Sequence, residues 1–312
     1  MSSFRRILVG IDVVDGELPA ATRQAFESAL KLAAVDHSVE LILLTVTNAP
    51  VADTEAFLTA EENAVGTQGT LARIQSELVD QAKEAGVAAS TRLAFGKSWY
   101  EIIREVIKSD CDLVVVGTRG KGTAERMLFG STCMKLLRNC PCPVWVTRPE
   151  PEGEIPVILA ADDFSRTGES VLEIGVHLAR AMEGRFLAMH STPSIKENAL
   201  LRTGVSDTDV AEQRASMRAE AEQQLTNRLA HLDVRTISGG TKIRVVAGAA
   251  DLAIEEAVRE EHVSLVVMGT LGRAGIPGLL LGNTAERLLP LLSCSVLAVK
   301  PEGFVSPVQV DE

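Results

Sequence analysis

Leu113-Val-Val-Val-Gly117-Thr-Arg-Gly120, continued by Phe129-Gly130-Ser131-Thr132, decides how this chain is read. Four apolar residues closed by glycine predict a buried parallel strand ending at its carboxyl edge. Glycines recur at 120 and 130, and a helix-like run follows Ser131. In open α/β sheets ligands collect outside the carboxyl ends of strands, and a helix N-terminus offers free N–H groups to an anion. The stretch also occurs twice. Leu265-Val-Val-Met-Gly269-Thr-Leu-Gly272 runs on to Leu281-Gly282-Asn283-Thr284 with the same glycine spacing, 152 residues later. Aligned without gaps, 113–149 and 265–301 agree at 14 of 37 positions, which is an internal duplication and makes two domains the reading.

Working outward, Arg6-Ile-Leu-Val-Gly-Ile-Asp12 is a short apolar run with a carboxylate at its tip. A helix is expected over 20–35, a strand over 40–46, and a loop-like segment over 47–68. A helix ending at Gly86, a strand over 87–95, a helix from Ser98, the strand 113–116, a helix to 137 and a strand 144–147 complete the first half. The alternation βαβαβαβαβ implies a parallel sheet with helices on both faces. Pro149-Glu-Pro-Glu-Gly-Glu-Ile-Pro156 reads as a linker. The order then repeats, with strands at 157–162, 185–190, 241–246, 265–268 and 296–299, and a long charged helix near 210–231. We therefore expect two α/β domains, 1–149 and 155–303, each a five-stranded parallel sheet in the order 3-2-1-4-5. The last strands, 144–147 and 296–299, would then lie side by side as a pseudo-dimer within one chain. The tail from Phe304 is expected to fray.

Composition removes several classes of function. The chain has 312 residues and a formal net charge of −11, with −3 in the first 150 residues and −8 in the rest. Neither half has a dense Lys/Arg run, so nucleic acid is not an expected partner. No stretch approaches a membrane-spanning length, and the start leads straight into a strand, so neither membrane nor secretion is expected. Five cysteines suit a reducing cytoplasm better than a disulfide framework. Cys140-Pro-Cys142 has neither zinc nor redox spacing and reads as buried packing. The five histidines are scattered, and there is no Gly-x-Ser-x-Gly elbow, so no catalytic residue is assigned.

Gly117 and Gly120 would allow a tight turn and close approach of a ligand, and Gly130 would do the same at the head of the next helix. Ser131 could cap that helix or donate to a phosphate, with Thr132 beside it. Arg119, Lys121 and Arg126 add positive charge that a polyphosphate would use. The plainer alternative is that these glycines serve strand-to-helix turns only. Asp12 and Asp162 end the first strands of their halves, next to the switch point, where they could bond ribose or base groups or simply cap a helix. Gly96-Lys-Ser98 is not a P-loop, because position 91 is Thr91.

At the glycine loop the chain resembles the universal stress protein family, whose ATP-binding members carry Gly-x2-Gly-x9-Gly-Ser/Thr. Gly117, Gly120, Gly130 and Ser131 match that pattern, and Asp12 in Val-Gly-Ile-Asp matches the family's first-strand acid. Val46 matches the second-strand valine whose backbone meets adenine. The duplication looks like the tandem, E-type bacterial members. The resemblance implies flavodoxin- or Rossmann-like domains of the adenine nucleotide alpha hydrolase-like kind. It also implies ATP as ligand, with Mg²⁺ able to accompany the phosphates, and it allows a further homodimer.

The second half departs from the pattern. Asn283 replaces the Ser/Thr, with Thr284 following. Its glycine loop, with Gly269, Gly272 and Gly282, holds one basic residue, and Ser191 stands in place of Val46. The expected function is a cytoplasmic stress-response protein binding an adenine nucleotide, mainly in its first half, as a switch or protector. Slow ATP hydrolysis or self-phosphorylation at Ser131 is the enzymatic alternative. A second crevice taking an apolar small molecule is the third.

Overall fold

The computed structural model describes residues 4–36, 38–47, 67–118, 129–149, 153–193, 207–270 and 281–309. Two compact units appear, one formed by Ser3–Glu152 with Ser295–Glu312 and the other by Gly153–Cys294.

In the first unit β1 (Arg6–Gly10) is the central strand, because its apolar run Ile7-Leu8-Val9 can be buried on both faces. It pairs in parallel with β2 (Glu40–Thr47) and β4 (Leu113–Gly117). Beyond β2 lies β3 (Ala88–Phe95), and beyond β4 lies β5 (Val144–Thr147), both parallel. The order β3-β2-β1-β4-β5 is the one expected from the alternation of elements. Burial follows this order, with Ile7, Leu8, Val9, Leu113, Val114, Val115 and Val144 fully enclosed while β3, at the edge, is only half covered.

The helices of this unit are α1 (Ala20–Ala34), α2 (Thr67–Glu84), α3 (Ser98–Lys108) and α4 (Ser131–Asn139). α1 turns Ala21, Ala25, Phe26, Ala29, Leu32 and Ala33 inward, an apolar stripe at helical spacing. Burying Phe26 alone contributes about 2–3 kcal/mol. α2 ends where Gly86 adopts φ +75°, and Val87 N–H closes the turn onto Ala82 O at 2.9 Å, as a glycine stop requires.

The second unit repeats the plan with β6 (Val157–Ala161), β7 (Arg185–Thr192), β8 (Thr241–Ala247) and β9 (Leu265–Gly269) in the order β9-β6-β7-β8, all parallel. Its helices are α5 (Arg166–Ala181), α6 (Asp207–Leu229), α7 (Ala250–Glu260) and α8 (Asn283–Leu288). The last strand, β10 (Ser295–Val299), lies beside β5, where the sequence placed it. It runs antiparallel to β5, with Val296 opposite Val146 and Ala298 opposite Val144. Arg148 N–H donates to Ser295 Oγ at 3.0 Å, which pins the start of the strand. Lys300, just past its end, donates to Arg138 O at 3.0 Å and also to Leu137 O.

The tail does not fray as far as it is described. Val308 is buried, Phe304 lies 4.6 Å from Lys300 Nζ, and Tyr100 Oη donates to Gln309 O at 3.4 Å.

Candidate functional site

A cleft of about 660 Å³ opens at the carboxyl edge of β1, β2 and β4. The topology gathers residues there from remote parts of the chain. Gly10 and Asp12 come from the end of β1, Leu44 and Val46 from β2, and Val116, Gly117 and Thr118 from β4. Ala20 and Thr22 of α1, Ser98 of α3, and Gly130, Thr132 and Cys133 at the head of α4 complete the wall. One lip is a tight hairpin. Asp15 and Gly16 both have positive φ, and Val14 and Glu17 exchange two 3.0 Å backbone bonds, as a primed turn demands.

Three helices point their N-termini toward this cleft. α1 is preceded by Pro19, α3 by Lys97 and α4 by Gly130, and no side chain caps any of the three. Their first-turn N–H groups are left for solvent or a ligand, and the helix dipoles favour negative charge there. Asp12 is exposed at the rim, where its carboxylate can accept hydroxyl donors. Asp15 and Glu17 also border the cleft, so among the described residues its side-chain charge is acidic. The expected basic partners Arg119 and Lys121, with Gly120, lie outside the described residues, as does Gly272.

Two expectations change in detail. Gly130, with φ −64° and ψ 164°, is itself the N-cap, and Ser131 is the first helical residue, exposed rather than lining the cleft. Thr132 lines it instead. Gly117 is small for a packing reason. A Cβ there would come within 2.5 Å of the Ala21 carbonyl, because the first turn of α1 rests on it. Ser98 lines the cleft although its tripeptide fails the P-loop pattern. The signal for it was the expected β3–α3 junction, which also reaches the carboxyl edge.

In the second unit the matching corner is filled by its own side chains. Asp162 ends β6 as Asp12 ends β1, but its carboxylate is fully enclosed and accepts from Arg228 Nη1 of α6 at 3.1 Å. Its Oδ1 also accepts from Phe164 N–H at 2.8 Å, an Asx turn that holds Phe164 at φ +61°. Phe164 stacks on His190 with centroids 3.9 Å apart, and the Arg228 guanidinium lies 5.5 Å from the Phe164 ring centre. The guanidinium further donates to the Phe164 and Ser165 carbonyls at 2.8 and 3.0 Å, and His190 Nδ1 meets Asp162 O at 2.7 Å. Ser165 caps α5 by accepting from Gly168 N–H at 3.1 Å, the bond that α1 lacks.

Gly269 closes β9, and Gly282 caps α8 ahead of Asn283 and Thr284. A separate depression of about 560 Å³ lies between α6 and the ends of β7 and β8, bordered by Arg214, Met217, Arg218, Arg244 and Val245. Arg218 and Arg244 are held by Glu222 and Glu260 at 2.9 and 2.7 Å.

The fold, the duplicated glycine segments and the cleft at a strand switch point define a tandem protein of the doubly wound α/β class. The model of the Universal stress protein family matches residues 3–148 and again 155–300, and the chain belongs to that family with two such domains. It is 26% identical to Universal stress protein E of Escherichia coli K12 over 335 aligned residues, covering 100% of this chain and 99% of that protein. A homologue of that protein in Haemophilus influenzae is 30% identical over 208 residues, covering 64% of this chain and 65% of its own. In structure the chain resembles a functionally unknown protein from Pseudomonas aeruginosa PAO1, with a TM-score of 0.71, 22% identity and coverage of 96% and 94%. No helix among the described residues is long and apolar enough to cross a membrane.

Proposed function

We propose that the first unit binds ATP or a related adenine nucleotide, and that the chain works as a nucleotide-dependent stress-response switch in the cytoplasm. The carrying observation is the convergence of three helix N-termini, none with a side-chain cap, on one cleft that also holds Asp12 and Val46. Asp12 would accept from ribose hydroxyls, and the backbone near Val46 would meet the base. The heads of α4 and α3, with Gly130, Thr132 and Ser98, would take phosphate oxygens. In the same segment Gly120 would give the phosphates room, and Arg119 and Lys121 would add charge.

The described residues contain no group of three or more His, Cys, Asp or Glu that could hold a metal, so Mg²⁺ would enter with the phosphates. The proposed domains are 1–149 and 155–303. The second carries no nucleotide in this reading, because Arg228 already occupies its acid and Ser165 already caps its helix.

Calorimetric titration of the intact chain with Mg-ATP tests this. Saturable heat in the native protein that is lost in Gly130→Val is the expected result. Absence of heat in the native protein removes the nucleotide reading, and steady phosphate release would move the protein to the enzymes.

A further inference from the structure

The one close pair of thiols sits away from the cleft, at the other end of α4. Cys140 follows the helix directly, Pro141 intervenes, and Cys142 leads into β5. Their sulfurs are 3.6 Å apart. Residues two apart in a near-extended chain have Cα atoms within about 7 Å, which overlaps the disulfide range, and the sulfurs need to close by only about 1.5 Å. Cys140 is fully buried, and Cys142 beside it is 8% exposed. Lys300 brings its ammonium to the same place, anchored on the Leu137 and Arg138 carbonyls.

From this geometry we propose that Cys140 and Cys142 are a reversible dithiol–disulfide pair, oxidised by a peroxide small enough to enter beside Cys142.

The two sulfurs are not equivalent. Burial raises the Cys140 thiol, but hydrogen bonds from the Cys142 thiol and backbone N–H, with the Lys300 charge, outweigh it and bring it below its ordinary value. Cys142, donating its proton to Cys140 and itself buried, is raised well above the ordinary value. Cys111, a third thiol nearby, is pushed up to about 12 by burial and then by Glu105. Nucleophilicity belongs to the thiolate, so Cys140 is the attacking group and Cys111 a bystander. The Cys140 thiolate attacks one peroxide oxygen, the O–O bond breaks, and hydroxide leaves and is protonated to water. The Cys142 thiol then attacks the sulfenyl sulfur, the S–O bond breaks, and a second water leaves with the Cys142 proton. Two thiols lose two electrons, one peroxide gains them, and an external dithiol reverses the change by exchange.

The test uses the reduced full-length chain, hydrogen peroxide, and alkylation of free thiols after denaturation. The expected result is a fall from five free thiols to three, with the peptide holding Cys140 and Cys142 two hydrogens lighter and restored by a dithiol. In Cys142→Ser the reaction should stop at a Cys140 sulfenic acid that a cyclic dione traps. In Lys300→Met oxidation should slow several-fold. The proposal is overturned if the native chain keeps five thiols under peroxide that oxidises a cysteine peptide in the same tube. It is also overturned if the bridge maps to Cys111 or runs between chains. Mapping of the native chain decides the matter even where a variant does not fold.

Discussion

Arg228 Nη1 stands 3.1 Å from Asp162 Oδ1, joining positions 66 residues apart and enclosing a carboxylate with no exposure to solvent. A buried carboxylate is tolerated only while its charge is compensated. Removing the cation alone strands that charge, which typically costs 3–5 kcal/mol. Arg228→Met keeps most of the volume and should lower stability in denaturant unfolding by about 3 kcal/mol. Adding Asp162→Asn should recover part of this loss, since the amide oxygen still accepts from Phe164 N–H. A change below about 0.5 kcal/mol in the single variant would mean that the pair is solvated and the corner open.

Thr132 and Ser131 are adjacent, yet only Thr132 borders the cleft. If phosphate meets the head of α4, the hydroxyl facing the cleft is the one that matters. Thr132→Val should weaken Mg-ATP binding about tenfold, the loss of one charge-assisted hydrogen bond. Ser131→Ala should leave it within about twofold. Calorimetry of both variants checks this, and the reverse ranking would return the contact to Ser131, where the family spacing pointed.

The strands were legible because each is a short apolar run between breakers, and burial on two faces leaves that pattern little freedom. β1, β4, β6 and β9 therefore fall within a residue or two of expectation. Interactions between distant segments were not legible. Asp162 looked like the twin of Asp12 because both end a first strand, and nothing near it announces an arginine on α6. Gly117 borders the cleft, but the demand for a glycine there comes from the backbone of α1, which a Cβ would strike.

The duplication also conceals an equivalence that identity counting misses. Trp99 and Lys135 form a cation–π contact at 5.1 Å, and the positions 152 residues later, Asp251 and Arg287, form an ion pair at 2.5 Å. Both contacts bind the helix after the third strand to the helix after the glycine loop, by different chemistry. Strand β10 was legible with its neighbour, since the last strand of each half was expected beside the other. What the sequence did not announce is the antiparallel register, Val296 opposite Val146, and the anchors at its ends, Arg148 N–H on Ser295 Oγ and Lys300 on Arg138 O.

Lys300 gives the fold a pH signature. Burial lowers its pKa from 10.5 to about 8, against the opposing pull of Cys140 and Cys142. Below about pH 8 the amine is charged in both the folded and unfolded chain, and its burial penalty is carried in full. As pH rises through about 8 the folded chain releases the proton while the unfolded chain holds it up to about 10.5. In that window the unfolded state binds more protons, so this group makes stability rise with pH. Cys111 acts oppositely, since its folded thiol keeps a proton that the unfolded thiol loses near 9. The readout is therefore the difference between the native chain and Lys300→Met, in which the Cys111 contribution largely cancels and the pull of Lys300 on Cys140 acts in the same direction as the amine's own titration. Under reducing conditions the stability advantage of the native chain over this variant should be flat from about pH 6 to 7.5 and should grow from about pH 8 to 10. Urea unfolding at a series of pH values measures it. A difference that stays constant across that range, or shrinks, would mean that the Lys300 amine remains solvated and charged beside the two thiols.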